Sequence, residues 1–326
     1  MDSIEINEFR KKIEQELAIL ELNSSPEKLY DPIRYVFSNG GKRIRAVLLM
    51  LSYKLFSEEI EKALPAALAI EIFHNFTLVH DDIMDSAPLR RNKETIHKKF
   101  GQNTAILSGD VMMVKAYQKL GECDKEVLGK VLKDFNDAAI KVCEGQQFDM
   151  DFENNDHITI DDYLKMIELK TAILLAVSAK IGGLLGGANT GDTVLLYEFG
   201  RNIGIAFQLQ DDLLDLYGDQ GKFGKKTGGD VTSKKKTYLY LSFMEDAGPE
   251  MTRQLKSVIS SDNITNEEKV LQVRDLYSAL NLKSKTMDKI RFYHNAAMKN
   301  LERIGVAKDR KTAIMHLANA LLVREL

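Results

Sequence analysis

Apolar residues recur at helical spacing along nearly the whole chain, and alternating runs rich in β-branched residues are missing. Helices are therefore predicted almost throughout. Pro26 and Pro32 fall near the start of one helix, where proline is tolerated. The Gly40-Gly41 pair breaks the chain ahead of a helix from about Lys42 to Leu55. Pro65 sits in the first turn of the next helix, whose residues Ala66 to His80 are apolar on nearly every face, as in a buried helix. A loop over 86–95 leads to helices at about 103–120, 126–149 and 161–186, then to a second long apolar helix at about 191–216. The glycine- and lysine-rich stretch 218–236 reads as a loop, and the remainder as shorter amphipathic helices. No low-complexity linker or shift in composition divides the chain. The expectation is one all-α domain over residues 1–326, a large helical bundle.

The two long apolar helices end alike, in Asp81-Asp82-Ile83-Met84-Asp85 and in Asp211-Asp212-Leu213-Leu214-Asp215. On a helix the first and last Asp of each set lie one turn apart on one face. Like charges at that spacing repel and destabilise the helix, so each cluster calls for a positive partner. Hard divalent cations bound by carboxylate oxygen are the natural candidates, and Mg²⁺ usually completes its shell with substrate phosphates. Cations surround the clusters. Arg90-Arg91 follows the first, and Gly40-Gly41-Lys42-Arg43-Ile44-Arg45 opens a helix, where free backbone N–H groups favour anions. His74 lies on the buried helix, Lys170-Thr171 interrupts an apolar one, and Phe207-Gln208 precedes the second cluster. Gly224 to Asp230 and Lys234-Lys235-Lys236-Thr237 follow it. The positive charge suffices for two polyphosphate groups, one bridged to carboxylates through Mg²⁺ and one bound directly by Lys and Arg.

With these motifs in this order, from about Gly40 to Thr237, the chain resembles the head-to-tail trans-isoprenyl diphosphate synthases, or polyprenyl synthetases. The resemblance implies an isoprenoid synthase-like bundle around a central cavity, and a Mg²⁺-dependent prenyltransferase. Lys42, Arg45, His74 and Arg91 would hold the diphosphate of isopentenyl diphosphate. Arg90, Lys170, Lys225 and Lys235 would hold the allylic diphosphate (dimethylallyl, geranyl or farnesyl), with Thr171 and Gln208 as polar neighbours. Asp81, Asp85 and Asp211 would be the main magnesium ligands, supported by Asp82, Asp212 and Asp215. The catalytic set is then Asp81, Asp85, Asp211, Lys170 and Gln208. Phe76 and Thr77, with Phe73 one turn further down, would form the floor that limits product length. That pattern is similar to the short-chain enzymes, which make geranylgeranyl diphosphate or, alternatively, farnesyl diphosphate. A homodimer is implied as well. A terpene cyclase would replace the second acidic motif, and a non-catalytic partner subunit would lack one or both.

Composition removes other classes. At 44% hydrophobic, 29% charged and a formal net charge of −3, the chain offers no global reason to bind nucleic acid. Cys123 and Cys143 are its two cysteines; they suit a reducing compartment and are expected to be ordinary buried thiols. Met1 to Glu5 has no basic or apolar leader pattern, and no uninterrupted apolar run approaches the ~20 residues of a bilayer span. A cytoplasmic protein without stable membrane insertion is expected. Asp149-Met150-Asp151 and Asp161-Asp162 lack basic companions and are expected to be a solvated turn and a helix start.

Overall fold

The periodic segments fold as helices. The computed structural model describes residues 4–22, 25–218 and 228–322. It is 79% helical, as expected of an all-α chain. In order come α1 (Ile4–Ala18), α2 (Glu27–Ser38), α3 (Ile44–Lys54) and α4 (Leu64–Met84). The 86–95 segment, expected to be plain loop, contains two antiparallel two-residue strands, β1 (Leu89–Arg90) and β2 (Lys93–Glu94). Next are α5 (Ile96–Phe100), α6 (Gln102–Leu120), α7 (Lys125–Glu153) and α8 (Ile160–Ile167). A π turn, Glu168–Ala172, separates α8 from α9 (Ile173–Leu185), where one unbroken helix was expected. The second acidic motif ends α10 (Thr190–Tyr217). The 218–236 loop contains a short helix, Gly229–Thr232, and the later helices include one of 22 residues, Leu282–Arg303, longer than anticipated.

The described residues form two compact units. The first comprises those of Met1–Ala139 with Leu174–Gly200 and Asn300–Ala318. Its core helix is α4, which packs on α3 and α6. Residues 66–73 of α4 are all buried; beyond them only Asn75, Val79 and Asp82 are, a single stripe. The helix thus starts inside the core and emerges along one face, which brings its acidic end to the surface with Asp82 inward. Phe73 is buried against Phe135, with ring centroids 5.1 Å apart. Burying each large apolar side chain of this kind contributes roughly 1.5–3 kcal/mol. The stretch Ile60–Met84 is apolar and long enough to cross a membrane, but 67% of its most apolar window is buried within the protein, as in a core helix.

The second unit comprises the described residues of Ile140–Ile173, Arg201–Lys299 and Asn319–Leu326. Its core joins Tyr163 and Ile167 of α8, Leu209 and Leu213 of α10, and Phe243, Leu255 and Tyr277 from later helices. Two expectations are corrected here. Asp149-Met150-Asp151 is no turn: it continues α7, where Gln147 Nε2 donates to Asp151 Oδ1 at 2.8 Å one helical turn on. Cys143 is exposed on α7, whereas Cys123 is buried, which pushes its thiol up to about 11. Asp162 does start a helix, sharing a capping box with Thr159.

Candidate active site

In the first unit the acidic end of α4 is built around Asp82. Its buried carboxylate accepts Arg90 Nε at 2.8 and 2.9 Å, and Arg90 Nη2 also lies 2.8 Å away. Burial raises this carboxyl above the usual range, and the two-pronged guanidinium opposes the rise. Asp81 is half-buried and Asp85 exposed. Asp85 caps the helix, its N–H donating to Asp81 O at 2.8 Å. Carboxylates at a helix C-terminus face the negative end of the macrodipole, so positive charge such as that of Arg90 favours this end.

A second arrangement in the same unit is cationic. Arg45 Nη1 lies 3.0 Å from His74 Nε2. Burial and the nearby Arg45, Arg91, Arg90 and Arg43 hold the His74 ring well below its ordinary pKa. The imidazole is therefore neutral and Nε2 accepts from Arg45. Burial brings Arg45 down to about 10 against the pull of Glu71. Arg91 donates to Gly40 O, and it is lowered by burial and by Arg43. Lys42 is exposed at the same turn. Glu71, the carboxylate among these cations, is already paired with Arg43. Glu71–His74 and Glu94–His97 have the Glu-x-x-His spacing of di-iron bundles. Arg43 and Arg45 occupy the first pair, and no group of three His, Cys, Asp or Glu among the described residues could hold an ion.

In the second unit the chain around the π turn is held by close backbone packing. A Cβ on Gly145 of α7 would stand 2.3 Å from Lys170 N, and one on Gly204 of α10 would stand 2.4 Å from Ala172 Cα. The turn thus sets the places of Lys170 and Thr171. Lys170 Nζ reaches Asp149 Oδ2 at 2.5 Å, so Asp149 has a partner that its sequence context did not reveal. Thr171 Oγ1 donates to Gln208 Oε1 at 3.0 Å, and Gln208 Nε2 donates to Asp212 Oδ1 at 3.1 Å. Tyr163 OH donates to the other oxygen of Asp212. Burial pushes Asp212 up to about 7 despite these donors, with Asp211 adding to the rise.

Asp230, not anticipated as part of this site, completes the cluster. Its N–H donates to Asp215 Oδ2 at 3.0 Å. Burial, then Asp215 and Asp212, push its own carboxyl up to about 8 against the pull of Lys235. Asp212, Asp215, Asp230 and Lys235 line one cleft with Tyr240 and Tyr277. The signal in the sequence was Gly228, whose left-handed φ of 84° turns the chain back so that its N–H meets Asp215 O. Lys225 lies outside the described residues.

Carboxylate oxygens are the donors that magnesium takes, although among the described residues no three stand as a ligand group. Asp211, Asp212, Asp215 and Asp230 lie together: burial first, and then neighbouring carboxylates, raises Asp212 and Asp230. Hard oxygen donors with too few protein ligands for a cage suit a cation that takes water and phosphate as well. Asp82 and Asp212 are each held by protein donors, Asp82 by Arg90 and Asp212 by Tyr163 and Gln208. The floor residues adjoin one another on α4: the Phe76 ring lies tilted against Phe73 at 5.6 Å and edge-to-face with His80 at 4.7 Å, and Thr77 donates its hydroxyl to His74 O.

The polyprenyl synthetase family model matches residues 26–277. A short chain isoprenyl diphosphate synthase of Methanocaldococcus jannaschii is 39% identical over 259 residues, 79% of this chain and 78% of that protein. A geranylgeranyl diphosphate synthase of Methanosarcina mazei is 36% identical over 308 residues, 92% of this chain and 91% of that one. A solved geranylgeranyl pyrophosphate synthetase from Pyrococcus horikoshii superposes with a TM-score of 0.92 at 32% identity, over 98% of each chain.

Proposed function

The chain belongs to the polyprenyl synthetase family and is a trans-prenyltransferase; on that premise we propose that it condenses isopentenyl diphosphate with an allylic diphosphate and releases geranylgeranyl diphosphate. The observation that carries the reading is the separation of charge. Lys42, Arg45 and Arg91 gather where the nearby Glu71 is paired with Arg43, whereas the carboxyls of Asp211, Asp212, Asp215 and Asp230 gather at the end of α10. The first set suits a diphosphate held directly, the second a diphosphate held with metal.

In this reading Lys42, Arg45 and Arg91 bind the isopentenyl diphosphate, and neutral His74 holds the Arg45 guanidinium in place. Arg90, Lys170 and Lys235 bind the allylic diphosphate, with Lys225 assigned by resemblance alone. Asp81, Asp85 and Asp211 are the main magnesium ligands, with Asp215 in support. Magnesium, when bound, withdraws charge from the departing pyrophosphate. The lysines and Arg90 stabilise the same charge, so the allylic C–O bond breaks to leave a carbocation and pyrophosphate. Gln208, fixed between Thr171 and Asp212, presents an oriented amide dipole to that cation. The isopentenyl double bond attacks, forming the 1′–4 carbon–carbon bond, and a proton then leaves to pyrophosphate. Phe76, propped by Phe73 and His80, stops the tail. We place the enzyme in the cytoplasm as a homodimer; the exposed Leu107, Val114 and Tyr117 along α6 are an apolar row suited to a second copy.

Product analysis tests the assignment. Purified protein given isopentenyl and farnesyl diphosphates with Mg²⁺ should yield a C20 diphosphate and one pyrophosphate per condensation, and chelation should stop it. Cyclic hydrocarbons, or products ending at C15 from dimethylallyl diphosphate, would overturn it.

A further inference from the structure

Arg43 and Glu71 have no part in the chemistry above, yet they form a deeply buried ion pair. Arg43 Nη1 stands 2.9 Å from Glu71 Oε1, with the two side chains 1% and 2% exposed. The other prong of the guanidinium, Nη2, donates to Phe37 O at the end of α2, at 3.0 Å. Asn75 Nδ2 supports the carboxylate from one turn along, at 3.1 Å, while also donating to Glu71 O at 2.8 Å. A buried pair of this kind adds little stability over well-packed apolar side chains of similar volume. Its contribution must be sought in what it holds.

It holds a strained turn. Arg43 is the cap of α3 and has a left-handed backbone, φ 51°, which costs a residue other than glycine roughly 1–2 kcal/mol. The preceding Gly41 has φ 149°, and a Cβ there would stand 2.8 Å from Arg91 Nη1. Arg91 in turn donates to Gly40 O. The path of residues 40–43 therefore decides where Lys42 and Arg91 stand. Arg45, two residues further, reaches α4 at His74, one turn beyond the point where Arg43 reaches it at Glu71. Two arginines from the start of α3 thus grip α4 at adjacent turns, one neutralised by Glu71 and one left with its charge.

We propose that the Arg43–Glu71 pair, braced by Asn75, is a positioning device that presets Lys42, Arg45 and Arg91 at the spacing of the isopentenyl diphosphate group. The inference rests on the assignment of that diphosphate to these cations. Misplacing a binding group by about 1 Å can cost up to 10²-fold in rate, so a loosened turn should be visible in kinetics.

The test is the double variant Arg43→Met/Glu71→Leu. It removes one charge of each sign, so the net charge around the diphosphate stays the same while the clamp is lost. KM for isopentenyl diphosphate should rise about tenfold, with kcat and KM for the allylic substrate within twofold of wild type. A generally damaged fold would move both KM values together. Arg43→Gln/Glu71→Gln, which keeps a neutral hydrogen-bonding pair in the same space, should raise the same KM about threefold and serves if the first variant does not fold. Arg45→Ala is measured in parallel. If it leaves KM for isopentenyl diphosphate unchanged, the assignment of the pocket fails. If it raises that KM while the folded double variants do not, or if their two KM values rise together, the positioning role alone is overturned.

Discussion

The two acidic helix ends share one spelling and differ in how their middle aspartate is kept. Asp82 faces a cation: Arg90 grips both its oxygens, and the hairpin that carries Arg90 follows directly after the motif. Asp212 faces neutral donors, Tyr163 and Gln208, with Asp211 and Asp230 as like-charged neighbours. The first end brings part of its own counter-charge. The second gathers carboxyls, of which Asp212 and Asp230 are raised by burial and by their like-charged neighbours. In both, the buried middle residue fixes the backbone while its outer neighbours remain at the surface or half-buried.

Removing an outer carboxylate from either end should have the largest effect. Asp81→Ala and Asp211→Ala are each expected to lower kcat on the order of 10³-fold with the fold intact by circular dichroism, as for removal of a group that stabilises transition-state charge. Near-normal turnover of either variant with Mg²⁺ would show that its end has no part in ion binding. Next in size are the middle residues. Asp82→Asn breaks a bidentate ion pair that is partly open to solvent and should cost about 1–2 kcal/mol of unfolding free energy, whereas Asp212→Asn should cost less at pH 8 than at pH 5. Equal costs at both pH values would erase the distinction between a carboxylate held by a cation and one held by neutral donors.

The same difference predicts a pH dependence. Asp212 and Asp230 titrate near 7 and 8 in the folded protein, above the ordinary carboxylate value of about 4. Between those limits the folded state binds more protons than the unfolded chain, so stability falls as pH rises and levels off above the folded values. Thermal melts without divalent cations should therefore show Tm declining from pH 5 to pH 8.5. Asp230→Asn should flatten the decline, and Mg²⁺ should restore stability chiefly at the alkaline end. A Tm that climbs over this range would contradict the shifts. The smallest effect concerns the first helix alone: Phe76→Ala should lengthen the product by one isoprene unit with little change in total turnover, read by mass spectrometry of the dephosphorylated products. An unaltered C20 profile would remove Phe76 from the floor.

Much of this was legible in the residues because helical period and acidic spacing are local signals. The ends of α4 and α10 and the Gly40-Gly41 break could be placed from spacing alone. What was not legible depended on partners distant in sequence. Asp149 looked like a solvated turn because its lysine lies on another helix, at Lys170. Tyr163 gave no sign of its bond to Asp212, and the π turn follows from glycine contacts at Gly145 and Gly204 rather than from the apolar pattern. Asp230 was in plain view within the glycine-lysine loop, but only the chain reversal at Gly228 brings it to Asp215.

The proposed division between a metal-independent and a metal-dependent diphosphate can be tested directly by calorimetric titration of the wild-type enzyme with each substrate separately, with Mg²⁺ and with chelator. On the proposed assignment to Lys42, Arg45 and Arg91, isopentenyl diphosphate should bind with the same Kd within about threefold in both conditions. A non-ionisable allylic diphosphate analogue should lose on the order of 10²-fold or more in affinity when the ion is removed. Equal dependence of the two ligands on Mg²⁺ would contradict the assignment of one cation set and one carboxylate set to two different diphosphates.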